Sequence, residues 1–379
     1  MNYEKNYREL ESTYYMPAFS RDLMLVKGSG CNVTDAEGKT YLDLVAGIAV
    51  CSSGHCHPKV VQAIQKQAAE LIHCSNLYYV PHQGTLAKRL VEYSGLKKAF
   101  FSNSGAEANE GAIKLARIRT GKTEFIACED GFHGRTMASL ACTHKPAIRE
   151  PFLPLNPRCF FVPYGDAEAI RKAINKDTAG VIIEPVQGEA GVIIPPEGYL
   201  REVREICDEK DVLLILDEVQ TGIGRTGKWF AYQHEKIQPD IVSLAKGIAS
   251  GFPMGAIIAR DGLEFSKSEH GSTFAGGPVA CAAAIATLDV VEEVLPSVAE
   301  KGARIKKALS AHDTRVAGLM VGVTIGDSCS KVQQACMEKG VLVNCAAHGN
   351  IRLVPPLVIS PEEIDRGCEV IDAAIRSVC

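Results

Sequence analysis

The sequence predicts an α/β protein: a large domain with a mainly parallel sheet covered by helices on both faces, and a smaller α+β domain. Three observations predict it. Strand-sized runs in the middle of the chain, such as residues 212–216 and 241–245, are apolar throughout rather than alternating, the pattern of strands buried on both faces. They are separated by helical patterns, the order of a parallel sheet with crossover helices. And 379 residues exceed the ~250–300 at which a single core stops growing, so a second, smaller domain is expected.

Taken in order, residues 99–102 read as a strand leading into a helix at 106–119. Residues 181–184 read as a strand, 197–210 as a helix and 212–217 as a strand, with two more strands at 241–245 and 255–259. Gly276-Gly277-Pro278 interrupts this order, and a long helix follows at 279–295. The last hundred residues mix helices with short strands at 317–325 and 350–353. The expected division is a large domain over 45–278 and a small one over 279–379, which the segment 1–44 joins. No internal repeat, low-complexity tract or flexible linker stands out.

Composition excludes some function classes. With 45 acidic against 41 basic residues, a net charge of -4 and no block of like charge, there is no basic footprint for nucleic acid or a membrane surface. The apolar runs fall far short of the ~20 residues of a spanning helix, and the start Met1-Asn2-Tyr3-Glu4-Lys5-Asn6 lacks the apolar core of a secretory leader. A cytoplasmic protein is expected, whose 14 cysteines stay reduced. One cluster, Cys51-Ser52-Ser53-Gly54-His55-Cys56-His57, crowds metal-ligand types together, but adjacent Cys56 and His57 do not readily face one tetrahedral ion. No metal is expected.

Three segments carry the chemistry of one site. In Phe101-Ser102-Asn103-Ser104-Gly105-Ala106-Glu107 a strand ends and a helix begins, which presents bare N–H groups and the positive end of the helix dipole to an anion. The same residues also read as a simple N-cap. In Leu216-Asp217-Glu218-Val219-Gln220 an acid closes a buried strand, where open α/β sheets bind ligands. A carboxylate there needs a cationic or donor partner; a protonated pyridine nitrogen qualifies, a metal ion or a strand-end turn are the alternatives, and no phosphate-binding Gly-x-x-x-x-Gly-Lys-Ser/Thr loop accompanies it. In Ser243-Leu244-Ala245-Lys246-Gly247 a lysine directly follows an apolar strand, where burial lowers its pKa and makes the amine a nucleophile toward carbonyls. A snorkelling edge lysine is the competing reading.

From about residue 14 to residue 359 the chain resembles the class III, fold-type I pyridoxal-phosphate aminotransferases. The resemblance rests on Gly54-His55-Cys56-His57-Pro58, the stretch 103–110, Phe132-His133-Gly134-Arg135-Thr136, Glu184-Pro185-Val186-Gln187-Gly188-Glu189, the stretch 217–227 and Lys246-Gly247, in that order. It makes the Cys51–His57 cluster a family turn. It implies that Lys246 holds pyridoxal 5'-phosphate as a Schiff base and then shuttles a proton, and that Asp217 keeps the pyridine nitrogen protonated so that the ring serves as an electron sink. Gln220 is implied at the ring hydroxyl, Phe132 on the ring face, and Ser104, Gly105 and Ala106 at the phosphate. Glu218 and Val219, in the same segment as Asp217, join the cofactor-binding set.

In Gly271-Ser272-Thr273-Phe274, Thr273 resembles the threonine that reaches the phosphate of the other subunit, with Ser272 beside the substrate, so a homodimer with shared active sites is implied. Arg135 and Arg352 resemble carboxylate-binding arginines, a bidentate task that lysine performs poorly, and Glu189 resembles the acid that pairs with Arg352. The implied reaction moves a terminal amine, that of N-acetylornithine first, to 2-oxoglutarate by a ping-pong route. Sister donors such as ornithine, 4-aminobutyrate and succinyldiaminopimelate, or an aminomutase reaction, stay open. Two departures stand out: Ala275-Gly276-Gly277-Pro278 where relatives often carry Gly-Gly-Asn-Pro, and Cys51 where an asparagine is frequent.

Overall fold

The apolar runs become the strands of a seven-stranded sheet, and the segments between them become its helical cover. The computed structural model describes residues 6–379; Met1–Lys5, and with them most of the stretch read above for a secretory leader, lie outside. The strands are β1 (Leu25–Ser29), β2 (Asn32–Asp35), β3 (Thr40–Asp43), β4 (Lys98–Ser102), β5 (Glu124–Cys128), β6 (Arg158–Val162), β7 (Thr178–Ile183) and β8 (Leu213–Asp217). They continue as β9 (Ile241–Leu244), β10 (Gly255–Ala259), β11 (Thr314–Ala317), β12 (Met320–Thr324), β13 (Val341–Leu342), β14 (Asn344–Ala346) and β15 (Asn350–Leu353).

The large sheet has the order β4-β10-β9-β8-β7-β5-β6. Its members from β9 to β6 pair in parallel, and β10 alone runs against both neighbours. The reason is the connection: about ten residues separate β9 from β10, fewer than the dozen or more that a parallel crossover needs. Strands β7, β8, β9 and β10 are buried at every position, which is why they lack alternation. Because β4 runs with β7, β8 and β9, the carboxyl ends of all four open on the same edge.

Two four-stranded sheets flank this core. In one, β1-β2-β3 end against β13, the parallel partner of β3, so the N-terminal strands are hydrogen-bonded to the C-terminal part of the chain. The other has the order β11-β12-β15-β14. The single strand expected at 317–325 is in fact the hairpin of β11 and β12. Gly318 turns the chain at φ +59, and a Cβ there would lie 2.5 Å from the Thr226 backbone, so only glycine lets the turn seat against that loop. The helix Pro278–Val294 begins with proline at its first position, is buried around most of its circumference, and packs on the helix Pro58–Glu70. The last helix, Pro361–Val378, starts with a reciprocal Ser360–Glu363 capping box.

The expectation that all thiols are free is corrected at one pair. Cys329, which opens the helix Cys329–Glu338, is bonded to Cys345 in β14, with Cα atoms 5.8 Å apart. Strand β14 packs against that helix, and this contact brings the two sulfurs within reach. The other 12 cysteines are free.

Candidate active site

At the shared carboxyl edge lies a cavity of ≈ 390 Å³, where open α/β sheets place ligands. Its anion end is built by the helix Gly105–Thr120. Ser104 caps it, its Oγ accepting the Glu107 N–H at 3.2 Å, so the first-turn N–H groups of Gly105 and Ala106 stay available at the cavity wall. A Cβ on Gly105 would sit 2.8 Å from Val219, so glycine is what allows this helix end to approach the β8 segment. Arg135 also lines the cavity; it is exposed and pairs with no acid among the described residues.

Asp217, the last residue of β8, is 3% exposed. Its Oδ2 accepts from Asn109 Nδ2 at 2.7 Å and from His133 Nδ1 at 2.8 Å, and its Oδ1 accepts the Val219 N–H at 3.0 Å. Burial alone lowers the pKa of His133, but the bond to Asp217 and its charge outweigh burial and raise it. The pair is therefore a fixed anion with an oriented donor behind it.

Lys246 follows β9 after one residue, in left-handed backbone at φ +47, which aims its side chain into the cavity. Desolvation lowers its pKa; Glu189 opposes this and Arg352 adds to it. Arg352 lies on β15 behind the cavity wall, 1% exposed. Its Nη1 donates to Glu189 Oε1 at 2.6 Å and to the Gly188 carbonyl at 3.0 Å, and its Nη2 donates to Asn344 Oδ1 at 2.7 Å. Burial pushes the Glu189 carboxyl up, but Arg352 and Lys246 outweigh it and leave it below the usual range.

The family profile described as aminotransferase class-III matches residues 15–375. The chain belongs to the class III aminotransferases. The acetylornithine aminotransferase of Methanosarcina mazei is 53% identical over 374 residues, 96% of this chain and 95% of that protein. That of Methanopyrus kandleri is 53% identical over 384 residues, 98% of this chain and 99% of that protein. Among solved structures, the acetylornithine aminotransferase from Elizabethkingia anophelis has a TM-score of 0.87 at 35% identity, covering 98% of this chain and 99% of that one. The ornithine aminotransferase from Toxoplasma gondii has a TM-score of 0.95 at 30% identity, covering 100% of this chain and 96% of that one.

As a class III aminotransferase it uses pyridoxal 5'-phosphate, and the cavity fits that group. It offers free helix N–H groups to a phosphate, a buried oriented carboxylate to a ring nitrogen, the Phe132 ring as a wall, and a lysine amine whose pKa burial lowers. Val219 and Gln220 line it as expected of their segment, and Gly188 leaves room for the Gln220 amide, which a Cβ there would meet at 2.2 Å.

Besides Arg352 behind the wall, three sequence-predicted residues lie outside the cavity lining. Glu218 is corrected: its side chain turns away from the cavity, where Oε2 accepts from Thr221 Oγ1 at 2.6 Å and Oε1 from the Tyr232 N–H at 3.0 Å. Ser272 accepts from Asn103 Nδ2 at 3.0 Å beside the anion end, and Thr273 is exposed on the same loop, outside the cavity of its own chain. The histidines of the Cys51–His57 turn are engaged by their neighbours, with His55 Nε2 2.7 Å from Asp43 Oδ2 and His57 Nδ1 accepting the Lys59 N–H. Sequence reasoning missed Asn109, His133 and Glu184. Each lies within a motif already singled out, and the signal was a polar side chain in a stretch destined for burial.

Proposed function

We propose that this aminotransferase moves the terminal amine of N-acetylornithine to 2-oxoglutarate, as in arginine biosynthesis, in two half-reactions at one site. One observation carries the reading: Arg135, which lines the cavity, stands free, while Arg352, behind the wall, is closed by the cavity-lining Glu189. A donor that presents a terminal amine brings one carboxylate, for which Arg135 suffices. 2-Oxoglutarate and glutamate bring two, and the second requires Glu189 to leave Arg352.

The cofactor, when bound, supplies an electron sink that makes a proton on the amine-bearing carbon removable. The chain does the rest. The first-turn N–H groups at Gly105 and Ala106 would hold the phosphate, Phe132 and Val219 would bound the ring, and Gln220 would serve the ring hydroxyl. Asp217 would hold the ring nitrogen in its protonated form. Lys246 Nζ, whose pKa burial lowers, would take the proton from the amine-bearing carbon of the substrate and pass it on to the cofactor side of the C–N bond. Arg135 orients the donor carboxylate with a planar fork.

A homodimer in the cytoplasm is part of the proposal. Thr273 and Phe274 are exposed on the loop beside the anion end, and exposed Leu77, Tyr78 and Tyr79 adjoin it through Asn76, which donates to the Ser272 and Ala275 carbonyls. A second copy that covers this apolar surface would bring its Thr273 to the phosphate of the first. No helix among the described residues is long and apolar enough to cross a membrane. The division into a 45–278 core and a lobe of 1–44 with 279–379 is proposed too, supported by the pairing of β3 with β13.

With a panel of ω-amine donors, N-acetylornithine is expected to shift the absorbance of the bound cofactor most strongly, and 2-oxoglutarate to restore it. No shift with any ω-amine donor would overturn the transaminase reading. Glu189→Ala leaves Arg352 permanently open, so the expected result is asymmetric. The glutamate half-reaction is preserved, while kcat/KM for the terminal-amine donor falls by about tenfold or more, as the free arginine admits misoriented substrate. Equal losses in both half-reactions would sink the switch.

A further inference from the structure

Resting on that transaminase reading, we infer that Glu184 is a positioning residue that ties the aromatic wall of the cavity to the arginine for the second carboxylate. Glu184 directly follows β7 and is 6% exposed. Its two oxygens serve two separate segments. Oε1 accepts the Phe132 N–H at 2.9 Å, and Oε2 accepts the Gly188 N–H at 3.1 Å.

Each acceptor leads to a working group. Phe132 carries the ring that walls the cavity. Gly188 offers its carbonyl to Arg352 Nη1 at 3.0 Å, and the next residue, Glu189, offers its carboxylate to the same nitrogen at 2.6 Å. One side chain thus sets both the tilt of the aromatic face and the height of the Glu189–Arg352 pair. Gly188 has little freedom to compensate, because the Gln220 amide occupies the space where its Cβ would be.

The residue type follows from this task. Only a carboxylate of this length presents two acceptor oxygens and no donor when ionised. Burial pushes the Glu184 carboxyl up to about 7, His133 draws it down and Asp217 adds to the rise, so the acid is kept here at some cost to stability. A glutamine in its place would turn an NH2 toward one of the two N–H groups and release that segment. Tyr164 braces the same backbone from outside the cavity, its hydroxyl 3.0 Å from the carbonyls of both Glu184 and Pro185.

The test compares holoenzyme Glu184→Gln with wild type in melting temperature, circular dichroism of the bound cofactor, and KM and kcat for each half-reaction. KM for glutamate and 2-oxoglutarate is expected to rise by about tenfold or more, since a shift near 1 Å at a clamp is felt strongly. KM for the one-carboxylate donor should rise less, and the cofactor dichroism should change. A lower melting temperature with all kinetic constants and the dichroism within twofold of wild type would overturn the proposal. Should the variant fail to fold, Tyr164→Phe loosens the same backbone more gently. It is expected to move the same constants in the same direction, and a folded Tyr164→Phe with wild-type constants would overturn the proposal as well. Failure of the transaminase reading itself would already appear in the wild type, as silence toward every donor.

Discussion

Lys246→Ala is expected to lower kcat by about 10⁴-fold while leaving the fold intact. The kinetic loss follows from two roles in one amine, covalent hold on the cofactor and proton transfer at the substrate carbon, each of which is large by itself. The intact fold follows from the surroundings. Lys246 makes no hydrogen bond or ion pair with the other described residues, so its removal strands no buried partner. Glu189 keeps its bond to Arg352 and therefore its charge. Lys246→Arg should not rescue the rate, because a guanidinium stays charged where desolvation now favours a neutral amine. Single-turnover rates with saturating donor, read beside a thermal melt, measure both halves. A rate within about tenfold of wild type would place the proton transfer on another group.

The core of this fold was readable because burial on both faces leaves an unmistakable trace. Strands β7 to β10 are apolar at nearly every position, and no other element of that length tolerates such composition next to turn residues. Strands β11 and β12 were less readable. Both are short, β12 is apolar enough to merge with its turn, and the glycine that divides them matters only because Thr226 lies behind it. The pairing of Cys329 with Cys345 had no sequence signal, since a spacing of 16 residues says nothing about which helix will face which strand.

The candidate site divides in the same way. Lys246 and Asp217 announce themselves because each closes a buried strand with a residue type that is costly there, and the Ser104–Ala106 turn because it opens a helix with bare N–H groups. Asn109 and Asp217 are 108 residues apart in sequence and 2.7 Å apart in space, a contact that no local pattern contains. Glu218 was the opposite error. It was grouped with Asp217 by adjacency, yet successive side chains of an extended segment point to opposite sides, and period two alone argues that both do not enter one cavity.

Asp217→Asn is expected to lower kcat by about 10²–10³-fold, the range for loss of one preorganised electrostatic group at a reacting centre, with KM little changed. The substitution keeps the shape and removes the charge. An amide oxygen in the Oδ2 position still accepts from Asn109 and His133, but the amide NH2 then faces the Val219 N–H, a donor against a donor. The ring nitrogen loses the anion that holds its proton, and the electron sink weakens with it.

His133 supplies an independent readout, because Asp217 is what lifts its pKa against burial. A histidine whose folded pKa is raised contributes stability that is fully present below its unfolded value of about 6.5 and is lost as pH rises through the folded value. In the Asn variant the bond and charge of Asp217 no longer oppose burial, so that pKa falls from its wild-type value and the contribution at acid pH shrinks. The stability gap between wild type and variant should therefore be widest below about pH 6.5 and narrow toward alkaline pH. Chemical denaturation at pH 5.5 and 8.5, beside kcat at each pH, separates the two effects. A variant within tenfold of the wild-type rate, or a gap that widens toward alkaline pH, would remove Asp217 from the ring nitrogen and leave it a structural acid.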